Sequence, residues 1–269
     1  SCNGPSLRTI PSSGRWLVSE MIKERIVENL NRLRLNRIKE VFPEILDAAE
    51  ESKPTYASLL DQLLTEEVAV KEDRRIKTAL KIAGLPYEKN IADYDFSFHP
   101  DLDKRSVMSL FELDFIQNKE NAIFLGPPGV GKTHLAVALA VKAAQYGVSI
   151  YFTTMADLMS KLKKDAAIDK TGKARSYYKN GLVIVDEVGY MPITRQDAHL
   201  FFQFVCYRYE KSSTIITSNK SFGEWEELFG DPVIATAILD RLLHHCRVVN
   251  IKGNSYRLKE FKQAKEVNV

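Results

Sequence analysis

Two rhythms of apolar positions divide the chain. Between Ser19 and Ala83 the apolar residues Ile22, Ile26, Leu30 and Leu33 recur at intervals of three and four, the spacing of a helix with one buried face. Pro54-Thr55 opens a second helix carrying Tyr56, Leu59, Leu60, Leu63 and Leu64. That helix is expected to continue through the charged stretch from Glu66 to Lys81 and to stop at Gly84-Leu85-Pro86, where glycine and proline terminate helices. From about Leu102 the rhythm changes. Short β-rich runs, Asn121 to Leu125, Val148 to Thr153, Leu182 to Val185, Thr214 to Thr217 and Arg247 to Ile251, alternate with helical segments such as Lys132 to Tyr146 and Gln196 to Tyr209. Alternation of this kind predicts an α/β fold, a parallel sheet with helices on both faces, whose functional loops follow the strand ends along one edge. The predicted organisation is a flexible tail over residues 1–18, a small helical domain over 19–86, a linker over 87–101, a core domain over 102–258 and a C-terminal tail over 259–269.

Composition narrows this picture only modestly. A 45% apolar share and 27% charged residues belong to a globular chain rather than a disordered one. No apolar run approaches the roughly 18 residues of a membrane span, and the first twenty residues lack the apolar core of a secretory signal. Cys2, Cys206 and Cys246 are odd in number and widely spaced, which points away from a disulfide framework and makes a reducing cytoplasm the simplest expectation. The formal net charge of +3 is too small to imply nucleic acid by itself; what counts is where the charges lie.

The chemistry concentrates after three of the strands. Gly126-Pro127-Pro128-Gly129-Val130-Gly131-Lys132-Thr133 follows an apolar run and opens a helix, with His134 next. Glycines let backbone N–H groups turn inward around phosphate oxygens, and the helix N-terminus adds its dipole. Lys132 is placed to neutralise β- and γ-phosphate charge and Thr133 to ligate Mg²⁺. The second strand end carries Asp186-Glu187: the first carboxylate suits Mg²⁺, the second general-base work on an attacking water. Such a pair favours ATP hydrolysis over the nucleotide kinases, which share the loop. The third, Ile215-Ile-Thr-Ser-Asn219, offers Asn219 as a hydrogen-bonding partner for the γ-phosphate and lytic water, or as a turn residue.

In order and spacing these three segments resemble Walker A, Walker B and sensor 1 of the AAA+ ATPases. Within that superfamily the chain looks like the initiator and helicase-loader branch (DnaC-like) and most like the IstB-like helper ATPases of bacterial insertion sequences. The narrower match rests on Tyr56 to Asp95, Thr133-His-Leu-Ala136 and Asp240-Arg-Leu-Leu-His-His-Cys-Arg247, and the resemblance covers roughly residues 21 to 258. It implies a five-stranded sheet in the order 5-1-4-3-2 and subunits assembled on double-stranded DNA. It also implies an arginine finger reaching a neighbour's γ-phosphate, for which Arg241 fits best, and a transposase as partner. A C-terminal helical lid is not expected; a second sensing arginine stays unassigned, with Arg257 available.

Lys161, Lys163, Lys164, Lys173 and Arg175 cluster between the second and third strands, interleaved with Tyr177 and Tyr178. Lysines near phosphates give salt-dependent, largely sequence-independent binding, whereas basic runs are also ordinary solvated helix faces. The aromatics Tyr94, Phe96 and Phe98 are candidates either for an adenine pocket or for core packing. Adjacent His244 and His245 beside Cys246 are weak evidence for a metal, and Trp225 reads as a packing residue. The leading expectation is therefore an ATP- and Mg²⁺-dependent homo-oligomeric ATPase that assists transposition. A replicative helicase loader and a non-catalytic filament held together by ATP remain the alternatives.

Overall fold

The computed structural model describes residues 12–167 and 175–259. The chain divides into two compact units at Arg75/Ile76, so residues 76–101 group with the second unit.

The first unit is helical. α1 (Ser12–Arg32) begins inside the stretch read from sequence as a flexible tail. What the periodicity suggests as one long helix is broken at Arg34, whose positive φ of 54° turns the chain into α2 (Asn36–Ser52). The start of α2 is capped from a distance: the Glu67 carboxylate accepts from the backbone N–H groups of Arg37 and Ile38 at 2.8 and 3.1 Å. Those are two of the donors that a helix start leaves unpaired. Glu67 lies on α3 (Tyr56–Ala83), the helix expected from Pro54-Thr55, which ends at Gly84 in a left-handed conformation. Ile38, Val41, Phe42 and Leu63 form the small buried core of this unit.

In the second unit, α4 (Lys104–Leu110) and α5 (Asp114–Gln117) precede a five-stranded parallel sheet. Its strands are β1 (Asn121–Leu125), β2 (Ile150–Thr154), β3 (Leu182–Val188), β4 (Ser213–Ser218) and β5 (Cys246–Asn250). The spatial order is β2-β3-β4-β1-β5, as the resemblance implied. The crossover helices are α6 (Lys132–Gln145), α7 (Met155–Ala167), α8 (Ser176–Lys179), α9 (Arg195–Arg208), α10 (Trp225–Phe229) and α11 (Pro232–Leu243). Strand residues alternate between two cores. Ala122, Phe124, Leu182, Ile184 and Ile215 pack on one face with α6, while Ile123, Leu125, Val183, Val185 and Ile216 pack on the other with α7, α9 and α11. Burial on both faces explains why β1 and the first four residues of β3 read as continuous apolar runs rather than as alternating ones. Among the described residues no helix is long and apolar enough to cross a membrane.

One buried cation ties the sheet to its surroundings. Arg208 is 2% exposed and donates to the carbonyls of Tyr177, Tyr178, Asn180 and Ser213 and to the Thr214 hydroxyl. Burial pushes its guanidinium down to about 9, and the surrounding acceptors offset that cost. The segment entering β3 is thereby fastened to the start of β4.

Candidate functional site

The carboxyl ends of β1, β3 and β4 open onto a cavity of about 410 Å³. Residues 129–134 form one wall. Gly131, at φ 94°, is the N-cap of α6, and a Cβ there would fall 2.6 Å from the Tyr94 ring. Gly129, at φ 83°, leaves no space either, since a Cβ would overlap the Ser255 hydroxyl. Both positions need glycine for conformation and for room. Gly126, Pro127 and Pro128 build the outer turn and do not line the cavity.

Lys132 is 7% exposed, and its ammonium donates to the Gly126 and Pro127 carbonyls at 2.7 and 2.8 Å. Burial lowers its pKa, Asp186 pulls it back up, and Arg257 lowers it further. The Thr133 hydroxyl donates to the two Asp186 oxygens at 2.9 and 3.2 Å. A hydroxyl and a nearly buried carboxylate side by side make a hard-oxygen pair suited to Mg²⁺. Glu187, by contrast, is exposed into the cavity at a positive φ of 62°, unusual for a residue with a side chain.

Of Tyr94, Phe96 and Phe98, Tyr94 alone lines the cavity, and it also belongs to the core. Its hydroxyl donates to the Val130 carbonyl at 3.2 Å, its ring meets His134 edge-on, and burial pushes its pKa up to about 12. Phe96 packs on Tyr94, and Phe98 on His99 and Tyr256.

The cavity wall also includes residues that the sequence pattern did not place there, Thr217 and Arg257 among them. Thr217, 1% exposed, lines it and hydrogen-bonds to Asp186, whereas Asn219 does not line it. Asn219 sits behind Gly189 with its side-chain oxygen buried and unpartnered. Arg257, left unassigned, enters on the segment after β5: the Tyr256 N–H donates to the Gly129 carbonyl at 2.9 Å and brings Arg257 to the cavity wall. The only signal for it was an arginine following the last strand.

The remaining candidates lie elsewhere. Arg241, near the end of α11, is half-buried, donates to the Ala237 carbonyl and stacks over Phe202, outside the cavity of its own chain. On α7, Lys161 donates to the Tyr151 hydroxyl at 2.6 Å and Lys163 pairs with Asp197 at 2.9 Å. Arg175 pairs with Asp165 at 2.9 Å, and Lys164 and Arg175 help line a second cavity. Lys173 lies outside the described residues. His244 and His245 converge with Glu210, but all three are exposed and the Tyr209 hydroxyl already engages His244 Nδ1 at 2.8 Å. Trp225 is fully buried against Phe222 and Phe229.

Comparison with known proteins converges on one family. The model of the IstB-like ATP binding protein family matches residues 28–264. The chain belongs to that family. A putative ATP-binding protein of insertion sequence IS5376 from Geobacillus stearothermophilus is 43% identical over 242 residues, covering 89% of this chain and 96% of that one. The corresponding protein of IS21 from Pseudomonas aeruginosa is also 43% identical, over 87% and 89% of the two chains. Among solved structures, DnaI superposes with a TM-score of 0.50 at 23% identity, covering 62% of this chain and 89% of that one. A DnaA structure superposes at 0.52 and 18% identity, covering 69% and 57%. At such identities the likeness is one of fold.

Proposed function

We propose that this protein is an ATP-hydrolysing switch of DNA transposition. ATP drives copies of the chain to assemble on duplex DNA, the assembly selects a target and recruits a transposase, and hydrolysis resets it. The observation that carries the reading is the convergence of Lys132, the Thr133–Asp186 pair and Glu187 on one cavity behind the glycine loop. The insertion-sequence setting of the 43%-identical relatives supports the transposition half.

In this reading the loop N–H groups and Lys132 hold the β- and γ-phosphates, the ammonium leaving the Gly126 and Pro127 carbonyls to do so. Thr133 and Asp186 are the residues that would hold Mg²⁺, whose charge would offset that of the phosphates. Glu187 takes a proton from the attacking water, the work its exposed carboxylate is free to do. Arg241 of a neighbouring copy completes the site, which is supported by its position outside its own cavity. Making hydrolysis wait for that arginine couples turnover to assembly, and such fingers contribute ~10³ to 10⁵ in rate. The exposed lysines of α7 meet the DNA backbone.

Glu187→Gln tests the reading. ATP binding should stay within about threefold of wild type while turnover on duplex DNA falls by roughly 10² to 10⁴, the range of a lost general base. A variant that hydrolyses ATP as fast as wild type would refute it.

A further inference from the structure

The β3–β4 ladder breaks at the site, and the break has a definite form. From Leu182↔Ser213 to Val185↔Ile216 the partners advance together, and the next pair is Val188↔Ser218. Two residues of β3, Asp186 and Glu187, therefore stand opposite one residue of β4, Thr217. This is a bulge, and it resets the alternation of the strand. Val183 and Val185 face the core shared with α9, and Val188 packs in that same core, three positions on instead of two. The extra residue is Glu187, held at its positive φ.

A bulged residue loses its ladder partner, and here a side chain replaces it. The Glu187 N–H donates to the Thr217 hydroxyl at 3.0 Å, and the same hydroxyl donates to Asp186 Oδ1. A hydroxyl can accept and donate at once, so one buried oxygen serves both members of the acidic pair. Ser218 makes a companion bond to the Val188 carbonyl at 2.7 Å, closing the bulge on its far side.

We propose that Thr217 is the positioning residue of this site. Its hydroxyl holds the Asp186 carboxylate facing Thr133 and fixes the backbone of Glu187, so that the glutamate side chain enters the cavity instead of the core. The proposal rests on the ATPase reading above. Valine keeps the shape and strand preference of threonine but can neither accept from Glu187 nor donate to Asp186. Serine keeps the hydroxyl.

The test uses the whole 269-residue chain with duplex DNA and compares Thr217→Val, Thr217→Ser and Thr217→Cys with wild type. Three quantities are read: kcat and KM for ATP, the Mg²⁺ concentration that half-saturates binding of a fluorescent ATP analogue, and ADP affinity in EDTA. For Thr217→Val we expect kcat to fall at least tenfold and the Mg²⁺ requirement to rise severalfold. Its ADP affinity in EDTA should be unchanged, and Thr217→Ser should stay within about threefold of wild type throughout. Wild-type kcat and Mg²⁺ requirement in the valine variant would overturn the proposal. So would losses that extend equally to ADP affinity in EDTA, since those report a damaged fold. Should the valine variant not fold, serine against cysteine decides, because a thiol is a poor substitute in both bonds. Equal kcat for those two would reject the role. Absence of Mg²⁺-dependent turnover in wild type would sink the ATPase reading alone, and the Mg²⁺ dependence of analogue binding would still judge Thr217.

Discussion

Two cationic regions of this molecule differ in how their charge is held. Lys132 is nearly buried and fixed by two backbone carbonyls of the glycine loop that it ends. Lys161, Lys163 and Lys164 stand exposed on α7, and two of them already lean on neighbours: Lys161 on the Tyr151 ring and hydroxyl, Lys163 on Asp197. A charge kept out of water must be matched by a particular ligand, whereas an exposed charge contributes to a field that salt can screen. The first region reads as a binding site for one group, the second as a surface for many.

That contrast can be broken by substitution. Lys132→Ala should weaken ATP binding on the order of a hundredfold, about 2.7 kcal/mol, in nucleotide titrations. Lys163→Ala should leave ATP affinity at the wild-type value while lowering thermal stability by about 1–3 kcal/mol, because it strips the buried Asp197 carboxylate of its cation. Equal losses of ATP affinity would erase the distinction. A smaller effect is expected from Arg257→Ala. ATP affinity should drop about tenfold, near 1.4 kcal/mol, with ADP little affected, because a cation at the cavity wall acts most on the outermost phosphate charge. An equal loss for ADP would place Arg257 on the inner phosphates instead. The smallest effect belongs to the surface. Lys161→Ala with Lys164→Ala should cost severalfold in duplex affinity at low salt and lower the salt slope by ~0.9 for each phosphate no longer neutralised. An unchanged slope would remove α7 from the DNA interface.

The sheet was legible because strands buried on both faces write themselves as apolar runs, and because the loop after β1 can hardly be anything else. Strand ends shifted by a residue or two, and β3 ran on to Val188 because a bulge leaves no mark in composition. For the same reason Thr217 passed as an ordinary β-branched strand former, while Asn219, at the strand end where polar residues are expected, drew attention. The break at Arg34 was hidden because a non-glycine residue took the left-handed turn, aided by a carboxylate thirty residues away. Arg208, the last residue of α9 and 2% exposed, depends on distant context in the same way. Its burial depends on carbonyls supplied by the segment entering β3, which no local pattern reveals.

The close fit of Gly129 against Ser255, together with the Tyr256 N–H on the Gly129 carbonyl, has a practical corollary for watching this protein work. The phosphate loop and the segment after β5 form a single clasp, so a displacement of one is a displacement of both. Leu258, largely exposed a few residues along that segment, is a natural attachment point for an environment-sensitive dye. Its emission would give a real-time optical signal of nucleotide arrival and departure, recorded without touching the cavity itself.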